Sequence, residues 1–405
     1  MVTEPSPVMF DHLYSLSDRG AYDEIIDHIR NHDDEAVRYG AAGVLSESVA
    51  EFESEVTPET RKALLRAVLT DPSDAVRANV VRTLLHLDES IVDNIVTRLE
   101  MEPDSTPTEL PYPAVLTEWH GMRWAELRFL AVAGFEHVGG HSAVEKLRTT
   151  IQEEVDMRVL RRAIEAGGTV GDETFVTPIK DHLRVDDQTY QQSANETQIR
   201  RTKQAATEAL VKIGTEAAYE ALVTASRGTD EELKKCAISE IGKFGARQTV
   251  DLIVDELNND ESEELRQEAA EGLIATFTEA DFDEGHTVRE AALEQIGQDV
   301  PTAVSDEFAT IVAESPRKPE QRNAAWLLGQ LESDTDETVA CLLSALDEDD
   351  EYLGVIAAAG LANLDPSVVE GRLDSFLESV DDGSQAQLLA SSIQSKIRDT
   401  TADAR

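Results

Sequence analysis

The chain has 405 residues, more than one hydrophobic core usually holds, and an ordinary apolar content of 41%. It carries 81 acidic against 36 basic residues, a net charge of −45, with 10 lysines beside 26 arginines. Aromatics at 5% argue against a β-sandwich or a large aromatic pocket, and the acidity resembles adaptation to molar salt, where the Debye length of about 3 Å screens self-repulsion.

In chain order, residues 1–33 are expected to cap the fold, with an atypical first helix over about 8–31. From residue 34 a pattern recurs: an apolar-basic pair, then small residues, then Leu or Ile. It reads DEAVRYGAAGVL (34–45), DAVRANVVRTLLHLD (74–88), ELRFLAVAGFEHVGG (126–140) and TKQAATEALVKIG (202–214). It continues as ELKKCAISEIGKFG (232–245), ELRQEAAEGLIATF (264–277) and TVREAALEQIG (287–297). Looser copies are MRVLRRAIEAGGTVG (157–171), EQRNAAWLLGQLE (320–332) and YLGVIAAAGLANLD (352–365).

The basic slot falls at Arg38, Arg77, Arg128, Lys203, Lys234, Arg266 and Arg289, and in the looser copies at Leu160, Gln321 and Gly354. Successive spacings are 39, 51, 32, 43, 31, 32, 23, 32 and 33 residues. A period near 32 means a solenoid of repeats that cannot bury their faces alone.

Residues 232–257 show the unit. Leu233, Ala237, Ile238, Ile241 and Phe244 line one helix face, and Gly245 sits where a left-handed residue ends a helix. Val250, Ile253, Val254 and Leu257 then line a second helix. Small residues such as Ala41, Ala42, Ala269 and Ala270 let each first helix, helix A, approach its neighbours. Asp34 and Ser262 are placed to cap helices. The slot arginines are expected to bond acidic or carbonyl groups of adjacent repeats as an internal ladder.

Two insertions interrupt the pattern. Residues 101–121, with four prolines, read as a loop rather than a helix, and residues 184–197 are polar and poorly periodic. Insertions between solenoid helices project to one face, frequently a binding face. Residues 381–405 are expected to form a C-terminal capping helix, over about 381–398, and a tail.

The pattern resembles the HEAT-like repeats of phycobilisome bilin lyases, D-x-x-V-R-x-x-A-A-x-A-L-x-x-I-G, over about residues 34–380, in a haloarchaeal type. The resemblance implies an all-α fold, an α-solenoid (superhelix) of about ten helix-pair repeats. It says little of function, because this scaffold serves lyases, hydroxylases, glycosylases and adaptors.

Chemistry expected of enzymes on this scaffold has few matches. HEAT-like deoxyhypusine hydroxylases use His-Glu dipeptides, and none of the nine histidines here precedes a Glu. His137 and His141 are four apart, but Gly139 and Gly140 break the helix between them, so no metal is expected there. The run DEDDE (347–351) lacks the pattern of a calcium loop. Phosphate-binding and nucleophile-elbow motifs do not occur, and no cofactor is expected. Cys236 and Cys341 read as buried thiols. The N-terminus lacks a signal-peptide pattern and no run of 18 apolar residues occurs, so a cytoplasmic protein without membrane insertion is expected.

Charge is unevenly spread. From His120 to Ala205 there are 12 basic and 13 acidic residues, leaving −44 for the rest of the chain. This stretch, with the tryptophan just ahead of it, supplies the candidate partner-binding residues: Trp119, Arg123, Trp124, Arg158, Arg161, Arg162, Arg200, Arg201 and Lys203. Trp and Arg concentrate at interface hot spots, and Arg retains bidentate and stacking contacts in high salt. The competing expectation is internal pairing with Glu153, Glu154, Asp156 and Glu196.

The reading is a non-enzymatic scaffold or adaptor whose partner is another protein, with an acidic partner surface natural. Nucleic acid is not expected. The resemblance adds signalling adaptors beside chemotaxis and archaellum components. A lyase-like holder of a prosthetic group and a HEAT-like nucleic-acid-binding protein remain the alternatives.

Overall fold

The computed structural model describes residues 4–53, 56–88, 90–101, 112–183, 195–258, 262–297, 301–331 and 335–403. Among them every regular element is helical, and antiparallel helix pairs stack in two rows, the α-solenoid arrangement. The chain divides into two compact units, Met1–Ile213 and Gly214–Arg405.

In the first unit the helices are α1 (Pro7–Asp18), α2 (Tyr22–Asn31), α3 (Glu35–Glu47), the single turn α4 (Val49–Phe52), α5 (Pro58–Thr70) and α6 (Asp74–Leu87). They continue as α7 (Ile91–Met101), α8 (Tyr112–His120), α9 (Ala125–Val138), α10 (Gly140–Glu153), α11 (Met157–Val170), α12 (Val176–Leu183) and α13 (Glu196–Ile213). The A row runs α1, α3, α6, α9, α11, α13, each packed on the next. Behind it lie α2, α5, α7, α10 and α12.

The second unit holds α14 (Glu216–Ser226), α15 (Glu231–Ile241), α16 (Arg247–Leu257), α17 (Glu263–Glu279), α18 (Gly285–Ile296) and α19 (Thr302–Glu314). Then come α20 (Lys318–Gln330), α21 (Asp336–Ala345), α22 (Glu351–Leu361), α23 (Pro366–Ser379) and α24 (Gln385–Asp403). Its A row is α15, α17, α20, α22, α24.

Local chemistry sets the helix ends. Side chains of Asp34, Asp156, Asp230, Ser262 and Asp350 accept hydrogen bonds from the first-turn N–H groups of α3, α11, α15, α17 and α22. Gly245 adopts φ 65° and ψ 11° after a final 3₁₀ turn, as its position after the stripe predicts. Ala41, Ala42, Ala269 and Ala270 are fully buried between helices. Helices approach closely where glycines face: a Cβ on Gly329 of α20 would lie 2.4 Å from Gly360 Cα of α22.

Four expectations need correction. The first helix is two, α1 and α2, because the chain breaks at Gly20 with φ 67°. The proline-rich stretch is not all loop: residues 112–120 form α8, which packs on α9 and buries Val115, Leu116 and Trp119. Residues 102–111 lie outside the described residues. In the second stretch 184–194 lie outside them too, and 195–197 open α13, where Asn195 and Gln198 cap each other reciprocally.

The fourth concerns 287–297. It forms α18, which lies beside α16 instead of joining the A row. An A helix is buried on two sides, as nine buried residues of α17 show, whereas α18 buries a single stripe of Val288, Ala291, Ala292 and Ile296 with Gly285. Its slot residue Arg289 donates to the Phe277 carbonyl and Asn323 Oδ1, 5.7 Å from the rings of Phe277 and Trp326.

Candidate partner-binding surface

The slot residues largely form the expected ladder. Arg38 donates to Asp71 at 2.9 Å and to the carbonyls of His32 and Asp33. Arg128 makes a bidentate pair with Glu154 at 2.7 and 2.9 Å. Lys234 pairs with Glu256 at 2.7 Å and Arg266 with Glu307 at 3.2 Å. Where the slot is Gln321, its neighbour Arg322 takes over and clamps Asp350 at 2.8 and 2.9 Å. Lys234–Glu256 ties the two helices of one repeat, while the other charged, partly buried pairs hold successive repeats in register.

Arg77 departs from the ladder. Its side chain is 2% exposed and bonds Asp74 of its own helix, while Nε and Nη1 have no acceptor among the described residues. Its guanidinium lies 5.4 Å from the Trp119 ring centroid, and Trp119 Nε1 is also buried without an acceptor.

The nine candidate residues separate into five groups. Trp119 is 0% exposed and Lys203 4%, so both are core residues and neither offers a surface to a partner. Trp119 is buried because α8 packs its inner face on α9. Arg162 pairs inward with Glu136 at 2.6 Å and reaches Glu165. Arg123 and Trp124 form a second place, at the start of α9. There the guanidinium stacks 4.5 Å from the indole centroid beside a cleft of about 390 Å³ walled by Glu35, Ser73, Asp74 and Met122.

Arg158, Arg161 and Arg201 come together around a cleft of about 250 Å³ on the A row of the first unit. Leu85, Ala125, Phe129 and Val159 supply its apolar wall, and His86, Glu126 and Gln198 complete it. Glu126, 3% exposed, is held between Arg82 at 2.8 Å and Arg158 at 3.6 Å. Burial works against the charge of Arg158, but Asp156 at 3.3 Å and Glu126 outweigh it and raise its pKa above the ordinary arginine value. Arg161 meets Glu165 at 3.4 Å. Arg200 and Arg201 are exposed and make no ion pair or hydrogen bond among the described residues. Arg200 is not part of this cleft's lining.

Internal pairing therefore absorbs part of the arginine-rich stretch, with Glu154 and Asp156 among the acceptors and Glu136 and Glu165 taking the place of Glu153 and Glu196. What remains is a cationic rim over an apolar floor. Sequence reading missed Arg82, Leu85, His86, Glu126 and Phe129. The signal was present in the register: Glu126, Arg158 and Arg201 each stand two residues ahead of a slot, and Phe129 and Arg161 one residue after. Stacked A helices bring equal register positions side by side, so these five align as one patch.

No protein-family model matches the chain. It is 26% identical over 118 residues to a HEAT repeat-containing taxis protein of Halobacterium salinarum, a match spanning 28% of this chain and 29% of that protein. Among solved structures it is similar to Kap95p from a complex with RanGDP, at 14% identity and a TM-score of 0.42, over 94% of this chain and 52% of that one. It is also similar to the CpcE–CpcF phycocyanin lyase of Nostoc sp. PCC7120, at 16% identity and a TM-score of 0.35, over 70% of this chain and 94% of that one. No described helix is long and apolar enough to cross a membrane. The slot pattern, the helix-pair architecture and the similarity to a protein of that name together bear out the resemblance to HEAT-like repeat proteins.

Proposed function

We propose that this helix-pair repeat protein is a non-enzymatic scaffold that binds a partner protein on the A-helix face of its first unit. The observation that carries the reading is the convergence of Arg158, Arg161 and Arg201 over Leu85, Phe129 and Val159 in a chain of net charge −45. Guanidinium groups beside an apolar floor are the composition of interface hot spots, where few residues carry most of the binding energy. The likeness to a taxis protein, over less than a third of each chain, extends the proposal to a signalling adaptor.

Affinity capture from native lysate in high salt tests it, followed by binding of the purified partner to wild type and to Arg158→Glu/Arg161→Glu/Arg201→Glu. The proposal requires one defined partner whose binding is lost in a variant that circular dichroism shows to be folded. Equal binding by both forms sinks the site. The lyase-like and nucleic-acid alternatives predict a visible absorption band or a raised 260/280 nm ratio in the purified protein.

A further inference from the structure

We infer that the occupant of the first-unit cleft is an acidic segment carrying one bulky apolar side chain, and that this contact strengthens as salt is raised. The inference rests on the reading of this cleft as the partner-binding surface and names the chemistry of the partner. Charge complementarity selects it. Three of the four charged lining residues are arginines; Arg158 is paired with Asp156 and Glu126 and Arg161 with Glu165, and the fourth, Glu126, is held between Arg82 and Arg158. Arg201 makes no pair among the described residues, so its donors are open to a carboxylate from outside. A volume of about 250 Å³ floored by Leu85, Ala125, Phe129 and Val159 accommodates a single apolar anchor between the carboxylates.

The salt dependence follows from two length scales. Carboxylate–guanidinium contacts act at about 3 Å, whereas the repelling charges are spread over a chain of net −45. At physiological ionic strength the Debye length is about 8 Å, so an acidic ligand is repelled by carboxylates well beyond the cleft. At about 1 M salt it is about 3 Å, which removes the distant repulsion first and leaves contact pairs and apolar burial in place. An ordinary surface ion-pair interface weakens over the same range, so the sign of the slope is diagnostic.

Fluorescence anisotropy of the full chain with three labelled probes tests the inference. The probes are the peptide Gly-Asp-Glu-Asp-Phe-Asp-Glu-Asp-Gly, the same peptide with lysine at each acidic position, and an oligo-thymidine. Expected is binding of the acidic peptide alone, tightening several-fold between about 0.15 M and about 1 M salt. It should weaken about tenfold or more in Arg201→Glu, one charged hydrogen bond having become a repulsion, and be partly kept in Arg201→Lys. Arg201 is exposed and makes no pair among the described residues, so both variants are expected to fold. Binding of the lysine peptide or oligo-thymidine, with sensitivity to Arg201→Glu, overturns the acidic occupant while leaving the surface intact. A dimer seen by light scattering and lost in Arg201→Glu does the same by naming a second copy. If no probe binds and capture of the natural partner ignores Arg201→Glu, the inference and the surface fall together.

Discussion

Replacing Gly329 and Gly371 by alanine, one at a time, separates two forces that act on the same substitution. Both glycines lie inside helices of the second unit, Gly329 in α20 and Gly371 in α23. Helix propensity alone favours alanine by about 1 kcal/mol at each. At Gly371, exposed and with nothing within 4 Å of the added Cβ, that gain should appear nearly whole, as about 0.5–1 kcal/mol of added stability. At Gly329 the Cβ would sit 2.4 Å from the Gly360 backbone Cα, where contact distance is about 3.5–4.0 Å. Helices α20 and α22 must then part by about 1 Å along a buried seam, at the upper end of the overpacking range of about 1–3 kcal/mol. The net is a loss of about 2 kcal/mol. For a unit of this size each kcal/mol shifts the melting midpoint by about 2–4 °C. Differential scanning calorimetry at one fixed salt concentration should therefore show Gly329→Ala about 4–8 °C lower and Gly371→Ala about 1–4 °C higher. A midpoint for Gly329→Ala at or above wild type would refute the close packing of neighbouring A helices.

Other predictions follow from the ladder and the thiols. Arg128→Met strands Glu154, whose side chain is 7% exposed, and should cost about 2–3 kcal/mol in a denaturant titration, below the full buried-pair range because Arg128 is 18% exposed. Arg77→Met should instead be neutral or stabilising by about 1 kcal/mol, because two of its buried nitrogens have no acceptor among the described residues and Asp74 can be hydrated. Burial works against ionisation of Glu154 and Asp156, but Arg128, Arg158 and nearby backbone N–H groups outweigh it and hold both carboxyls below 4.5 and 3.8. Their stabilisation is thus complete above about pH 5 and is lost as pH falls below 4.5 through the lower folded-state values. Denaturant midpoints across that window should decline, and decline less in Arg128→Ala. Cys236 and Cys341 are partly exposed rather than buried as the sequence suggested, but desolvation pushes both up to about 11, so a disulfide reagent at pH 8 should label them far more slowly in the folded chain than after unfolding.

Much of the fold was legible because its causes are local. Leu233, Ile238 and Ile241 announce their helix by spacing, Asp34 and Ser262 start helices through side-chain acceptors, and Gly245 ends one by its φ. The slot arginines were readable as ladder residues because the same guanidinium recurs where neighbouring repeats place an acceptor. Residues 287–297 failed the same test. They carry the motif, yet α18 packs mainly on α16 and only lightly on α17, and whether a helix is covered on its second side depends on chain far away in sequence.

The candidate site divides along the same line. Local composition located the arginine-rich stretch and the two tryptophans, since charge balance is a property of the string itself. Burial decided which of them face out: α8 turns Trp119 inward, Lys203 is enclosed between helices, and Arg162 is spent on Glu136. The cleft exists only after α6, α9, α11 and α13 are stacked, because its walls come from residues 85 to 201 brought to one register. Sequence by itself determined a capped, amphipathic, all-helical repeat with an internal ladder, through propensity, capping and periodicity acting within a few residues. Tertiary structure alone decided which equal positions meet and which arginines stay open, since that depends on what each neighbouring helix has already covered.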